Sequence, residues 1–314
     1  MTSKAMSTPP PFTAPDPRDV DTRAVRRAFS RAAATYDSAA VLQREVSARM
    51  AQRLEVVKLA PTLVLDGGCG TGEATVELGA RYPDARIVAL DLALPMVQAA
   101  RERARQGRSL LRRLLPAGLA GNTVPWCLCA DLNALPFRGV AFDLVWSNLA
   151  LQWINDVPRV FAEWRRVLKV GGLVSFTTFG PDTLREIRKA FLRVDGHTHT
   201  NRFVDMHDLG DMLVGAGFAD PVMDMETITM TYPDPAALLR ELKHLGATNA
   251  TRGRPHGLMG RSRWQRMLGA LEGLRIDGRV PATFEVVYGH AWKGEPRRSA
   301  EGHPIVKVTR PPRA

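Results

Sequence analysis

Apolar residues along this chain fall into short blocks separated by segments of helical character. Residues 62–66 (TLVLD) form an apolar run that enters a cluster of glycines. Similar runs recur at 86–91 (RIVALD), 124–130, 142–147 (FDLVWS) and 173–179 (LVSFTTF). Each is four to eight residues long and apolar on both faces, as expected of strands buried inside a parallel sheet. Between them, Glu73 to Arg81, Met96 to Arg105 and Val157 to Leu168 read as helices, the last closed by Lys169-Val170-Gly171-Gly172. Asp21 to Leu59 is rich in Ala, Arg, Glu and Gln and reads as helical. Beyond the fifth run, His207 to Ala216 reads as a helix. Val222 to Tyr232 alternates like a strand and Thr283 to Trp292 reads as another.

Strand–helix alternation implies an α/β fold, a doubly wound sheet with helices on both faces. Strand C-termini then lie along one edge, where ligands bind in such sheets. Pro235 to Val280 is too long for a hairpin loop and helical in composition, so it reads as a lid or substrate-binding insertion. Gly107 to Asn122 is a second, smaller insertion. The Pro-rich leader (residues 1–20) and the basic tail (294–314) read as flexible ends, which leaves 21–293 as the folded domain.

The composition narrows the classes. Hydrophobic residues make up 45 %, enough for a packed core. No apolar run approaches the roughly 20 residues needed to span a bilayer, and no signal-peptide pattern opens the chain, so a cytoplasmic protein without a membrane partner is expected. Cys69, Cys127 and Cys129 are too few for a disulfide framework. Cys127-x-Cys129 and His197-x-His199 lack further ligands at metal spacing, as does His207, so no metal site is expected. The net charge of +11 favours anionic partners. No aromatic–basic recognition module is visible, so nucleic acid is not expected among them. Residues 235–280 concentrate the charge, with nine Lys or Arg against three Asp or Glu.

The candidate chemistry lies at the strand ends. Asp66 opens a turn with Gly68, Gly70 and Gly72, a G-x-G-x-G between a strand and a helix. A dinucleotide turn places its third glycine one residue later, to seat a pyrophosphate. Asp66 would repel a pyrophosphate but suits a ligand carrying an ammonium and a sulfonium. Asp91, followed by Leu92, ends the second strand, where a carboxylate can accept both ribose hydroxyls. Asp131-Leu132 ends the third, where the acid can accept from an adenine amino group. Ser147-Asn148 ends the fourth. Met96 joins these as a candidate cofactor contact.

The segments LDGGCGTG (65–72), Asp91, Asp131-Leu132 and SNLALQW (147–153) resemble class I S-adenosylmethionine-dependent methyltransferases. RAFSRAAATYD (27–37), FTTFGPDTLREIR (176–188), FVDMHDLGDML (203–213), GFADPVMD (217–224) and LLRELKHLGATNATRGRPHGLMG (238–260) add a narrower resemblance. It is to BioC, the malonyl-[acyl-carrier protein] O-methyltransferase family of biotin synthesis, and it runs from about Arg23 to Trp292. Gly67 departs from the family, which usually has Leu there, and the insertion at 107–122 is longer than expected.

The resemblance implies a Rossmann-like seven-stranded sheet, mostly parallel with the last strand antiparallel, and S-adenosyl-L-methionine as cofactor. It implies a monomer that takes a malonyl-acyl carrier protein, or malonyl-CoA, and esterifies the free malonyl carboxylate. That carboxylate is ionised at neutral pH, so no general base is required. Tyr36 belongs to a TYD segment that folds over the cofactor in similar enzymes, and Gln152 and Trp153 should face the methyl-transfer site. Arg252 and Arg254, beside Asn249, are the first choices to hold the substrate carboxylate, with Arg202 a further one. Other readings stay open here: a methyltransferase of RNA or of another small molecule, a cofactor-binding assembly factor that modifies protein arginine, and a nicotinamide-linked oxidoreductase.

Overall fold

The computed structural model describes residues 16–106, 124–197, 199–255, 257 and 259–295. Most of the leader, the insertion at 107–122 and nearly all of the tail lie outside them. The apolar runs form seven strands: β1 (Leu63–Gly67), β2 (Arg86–Asp91), β3 (Trp126–Cys129), β4 (Phe142–Ser147), β5 (Leu168–Phe179), β6 (Ala219–Tyr232) and β7 (Val280–Trp292). They make one sheet in the order β3-β2-β1-β4-β5-β7-β6. β1 to β5 pair in parallel, and β7 runs antiparallel to both β5 and β6. The expected topology holds, with the last strand inserted between its two predecessors.

Helices cover both faces. They are α1 (Thr22–Ala32), α2 (Tyr36–Ala39), α3 (Val41–Arg53), α4 (Glu73–Arg81), α5 (Leu94–Gln106), α6 (Val157–Val167), α7 (Arg185–Leu192), α8 (Met206–Gly215), α9 (Pro235–His244) and α10 (Arg261–Glu272). On one face Val46 and Met50 of α3, Leu78 of α4, Leu238 and Leu242 of α9, and Met267 and Leu271 of α10 bury against Ile87, Leu144 and Phe284. On the other, Phe161 and Trp164 of α6 and Leu209 and Leu213 of α8 pack on Val88, Val145 and Phe176. Asp156, Asp205 and Asp234 cap α6, α8 and α9 by accepting from Arg159 N, His207 N and Ala237 N.

Several boundaries differ from the sequence reading. Asp21 to Leu59 is three helices. The chain turns at Ala33 to Thr35, where Thr35 Oγ1 lies 3.2 Å from the Ala32 carbonyl and 2.9 Å from that of His244 in α9. That contact swings Tyr36 and Asp37 toward the sheet edge. β5 starts at Leu168, before the glycines, because Leu168 pairs with Phe142 and the Gly171–Gly172 backbone pairs with Lys293. α7 has no counterpart among the expected elements. The insertion at 235–280 is helical as expected, but its inner faces belong to the main core.

Packing is close where β1 turns into α4. Gly72 has φ +83°, and a Cβ there would sit 2.7 Å from Ala100 Cβ and 2.8 Å from its Cα. Gly171 has a similar φ of +77° with nothing within 4 Å of an added Cβ. Gly171→Ala should therefore cost only left-handed strain, about 1 kcal/mol, and Gly72→Ala strain plus overpacking, about 3 kcal/mol. Urea unfolding of the two variants checks this, and equal costs would contradict it.

Candidate active site at the strand C-termini

The turn after β1 binds the sheet edge through its own backbone. Gly68 N and Cys69 N donate to the Leu90 carbonyl at 2.7 and 2.9 Å, and Gly70 N donates to Asp91 Oδ2 at 3.0 Å. Gly68 has φ +79°, and a Cβ on it would meet Ala150 Cβ at 2.5 Å. Glycine at 68 thus lets the turn pack directly against Ala150.

Three carboxylates stand around the turn in distinct settings. Asp66 is 1 % exposed and accepts from Thr75 Oγ1 at 2.5 Å. Burial outweighs that bond and pushes its carboxyl up to about 7. Asp91 accepts from Ala93 N on Oδ1 as well as from Gly70 N on Oδ2, and burial again raises its carboxyl above the usual range. Asp131 receives both Asn133 N and Asn133 Nδ2 on Oδ1, each at 2.8 Å. Its Oδ2 therefore keeps its accepting capacity among the described residues.

These groups line two joined chambers. One is bounded by Asp91, Leu92, Asp131, Leu132, Phe29 and Trp153. The other is bounded by Asp66, Gln43, Ser47, Glu73 and Glu77. Tyr36, Gly68, Gly70 and Asn148 line both. A third, larger cavity of about 220 Å³ lies below α9, walled by Leu42, Phe179, Ile187, Phe191, Phe203 and Leu245, with Gln152, Asn201, Lys243 and Asn249 among its polar lining. Trp153 lines both this cavity and the first chamber, and Gln43 lines both this cavity and the second.

The roof over the turn is the N-terminal segment. Asp37 accepts from Thr71 Oγ1 and from Arg103 Nη2, each at 2.5 Å, and Arg103 Nε donates to the Thr71 carbonyl at 3.0 Å. α2, the glycine turn and α5 are thereby latched together. Tyr36 sits over Gly70, and burial with the nearby acids raises its phenol, so it is neutral. Phe29 meets Trp153 edge-to-face at 5.2 Å and Tyr36 at 6.5 Å. The sequence reading missed Asp37, Thr71 and Arg103. Their bonds join residues 34 and 66 positions apart, a pairing that no periodicity reveals.

Most expected site residues gather at this edge: Tyr36, Asp66, Gly68, Gly70, Asp91, Leu92, Asp131, Leu132, Asn148, Gln152 and Trp153 line the cavities. Gly72 shapes the turn from behind, against Ala100. Ser147 is fully buried and donates to the Gly67 carbonyl at 2.7 Å, so it braces the turn from inside. Met96 is fully buried and lines none of the chambers. Gly67, where the resembled family has Leu, lies against Leu132, whose Cδ2 would be 3.0 Å from an added Cβ. Asn249 lines the third cavity, and its Oδ1 accepts from Thr251 N and Oγ1. Arg252 and Arg254 do not line that cavity. Arg252 is exposed, and Arg254 bonds the Thr251 carbonyl and Asp21 Oδ2, tying the loop to the start of α1. Arg202 is exposed as well. His199 stacks on Phe191 at 3.6 Å and bonds Asp195 at 2.7 Å.

Comparisons with known proteins bear on family and fold. The Methyltransferase domain family matches residues 65–176. The malonyl-[acyl-carrier protein] O-methyltransferase of Gallionella capsiferriformans is 51 % identical over 292 residues, covering 92 % of this chain and 97 % of that protein. The protein of the same name from Laribacter hongkongensis is 54 % identical over 291 residues, 91 % of this chain and 95 % of the relative. Among solved structures, the YcgJ protein of Bacillus subtilis aligns with a TM-score of 0.55 at 16 % identity, over 80 % of this chain and 99 % of that one. A putative methyltransferase of Bacillus halodurans aligns with the same TM-score at 17 % identity, over 79 % and 98 %. These structural matches show the shared fold.

The raised carboxyl of Asp66 sets the sign of a pH effect. A group whose pKa rises on folding stabilises fully below its unfolded value, near 4, and loses that contribution as pH rises through about 7. Asp66→Asn lacks the loss. The stability of Asp66→Asn relative to the unmutated protein, both ligand-free, should therefore rise between about pH 5 and about pH 8. Denaturant unfolding at several pH values measures the difference, and a constant difference would contradict the assignment.

Proposed function

The chain belongs to the malonyl-[acyl-carrier protein] O-methyltransferase family, and from that premise we propose how its cavities divide the reaction. The reading is methyl transfer from S-adenosylmethionine to the free carboxylate of a malonyl thioester, giving the methyl ester that primes the pimelate moiety of biotin. The observation that carries it is the contiguity of the chambers. A pair of chambers that carries Asp66, Asp91 and Asp131 adjoins a mostly apolar cavity through Trp153 and Gln43.

The residues fit this cofactor. Glycine at position 68 lets the turn close against Ala150, and Gly68 and Gly70 line both chambers, so the cofactor would lie along the turn. Ser47 Oγ, buried and without a partner among the described residues, belongs to a residue that lines the same chamber as Asp66, and it suits the polar methionine end. Asp91 would accept from ribose hydroxyls, Asp131 Oδ2 from the adenine amino group, and Asp66 would sit near the ammonium. Leu132 and Phe29 offer apolar surface to the base, and Tyr36 roofs both chambers. Once bound, S-adenosylmethionine supplies a methyl carbon that a carboxylate oxygen attacks as the C–S electron pair returns to sulfur, with no proton to move.

The chain's own task is then to position and to dry. The apolar walls from Leu42, Phe179, Ile187, Phe203 and Leu245 exclude water from a reaction in which opposite charges disappear. No group in the cavity needs to act as a base, because a malonyl carboxylate is ionised above about pH 4. For the partner, Arg261, Arg263 and Arg266 of α10 are exposed beside the cavity's helical cover, in a segment with a threefold excess of basic residues. Such a surface speeds encounter with an acidic carrier protein.

Two outcomes test this reading. Incubation with the cofactor and malonyl-acyl carrier protein should yield a product heavier by one methylene, read by mass spectrometry, and the gene should restore growth of a biotin-requiring strain. Absence of ester would overturn the reading. Asp131→Ala should raise the dissociation constant of S-adenosylhomocysteine about tenfold while leaving the rate at saturating cofactor within about threefold, because the lost bond lies far from the reacting carbon. An unchanged dissociation constant by calorimetry would remove Asp131 from the site.

A further inference from the structure

Two side chains form the wall shared by the cofactor chambers and the third cavity, Trp153 and Gln43. Trp153 gives the wall its apolar part through its contact with Phe29. Gln43 gives it a polar part, and its bonding is unlike that of its neighbours. Asn148 is engaged at both ends of its amide: Oδ1 accepts from Thr177 Oγ1 at 2.6 Å, and Nδ2 donates to the Gln43 carbonyl at 3.0 Å. Gln152 Nε2 donates to the Leu149 carbonyl at 2.7 Å. The Gln43 side-chain oxygen, by contrast, is buried with no hydrogen-bond partner among the described residues. An acceptor left in that state has lost its water without gaining a donor, which is unfavourable.

The backbone of Gln43 is fixed all the same. Asn148 holds its carbonyl and Thr177 of β5 holds Asn148, so residue 43 is pinned to the ends of two central strands. One helical turn on, Ser47 Oγ is also buried without a partner among the described residues, and Ser47 lines the same chamber. A rigid backbone carrying unmet polar atoms at a junction between cavities points to donors that arrive with ligands.

We propose that Gln43 aligns the two ligands of the reaction proposed above. Its side-chain oxygen accepts from the ammonium at the methionine end of the cofactor, and its amide nitrogen donates to the substrate carboxylate. An amide suits this place because it is neutral and carries one donor and one acceptor end. A lysine here would repel the ammonium and sulfonium, and a glutamate would repel the carboxylate. A single neutral donor also orients the carboxylate without a counter-charge that would blunt its attack. This fits the position of Arg252 and Arg254 outside the cavity.

Two variants separate the two ends of the amide. Gln43→Glu keeps an acceptor and replaces the donor with negative charge, whereas Gln43→Leu removes both. S-adenosylhomocysteine binding, read by calorimetry, should stay within about threefold for Gln43→Glu and weaken about tenfold for Gln43→Leu. Methyl-ester formation at saturating cofactor should fall about 100-fold or more in both. The retained affinity of Gln43→Glu also reports that the variant is folded. Either variant forming ester within about threefold of the unmutated enzyme, or Gln43→Leu binding S-adenosylhomocysteine normally, would overturn the proposal. Loss of cofactor binding in Gln43→Glu would overturn it too. An unmutated chain that makes no ester would instead overturn the functional reading on which the proposal rests.

Discussion

The space available to the backbone between β1 and α4 governs this molecule. Ala150 closes one side of the turn at Gly68, and Ala100 closes the other at Gly72. Neither position has room for a side chain, so the chain presents peptide groups where most folds present side chains. Turn amides are spent holding the second strand, two on the Leu90 carbonyl and one on Asp91. The turn therefore fixes the place of Asp91, and Ser147 fixes the turn from below through the Gly67 carbonyl. Sheet, turn and acids form one rigid unit.

That unit has an electrostatic cost. Burial holds Asp66 and Asp91 above the usual carboxylate range, so ionising them without a partner is unfavourable. A ligand that brings an ammonium and hydroxyl donors offsets the cost, and a pyrophosphate would add to it. Selectivity between cofactor classes then follows from the charge of the cradle, and glycine spacing is its accompaniment. The N-terminal roof completes the enclosure. Asp37, shared between Thr71 and Arg103, places Tyr36 over the turn, and among the described residues Trp153 and Gln43 line both the strand-end chambers and the apolar cavity.

Much of this was legible in the sequence, for identifiable reasons. The strands at 86–91 and 142–147 are mostly apolar runs ending in Asp or Ser, and their observed bounds match the sequence reading residue for residue. Asp66, Asp91 and Asp131 were found because a strand end is a local feature. What escaped depends on partners distant in sequence. Ser147 sits at a strand end like the acids, yet its hydroxyl turns inward to Gly67. Met96 is one residue among the buried set of α5. The glycine-containing loop around Arg254 suggests a ligand contact, whereas its bond to Asp21, 233 positions away, shows only in three dimensions. Gln43 lies in a helix of ordinary composition, and its unmet oxygen is a property of the assembled cavity.

The central claim is that one cofactor lies across the turn with a separate donor for each strand-end acid. A crystal structure with S-adenosylhomocysteine tests it most directly. The account predicts the ribose hydroxyls within hydrogen-bond distance of Asp91, the adenine amino group on Asp131, and the ammonium between Asp66 and Gln43 beneath Tyr36. A ligand lying elsewhere, or lying across the turn without touching Asp91 and Asp131, would contradict it.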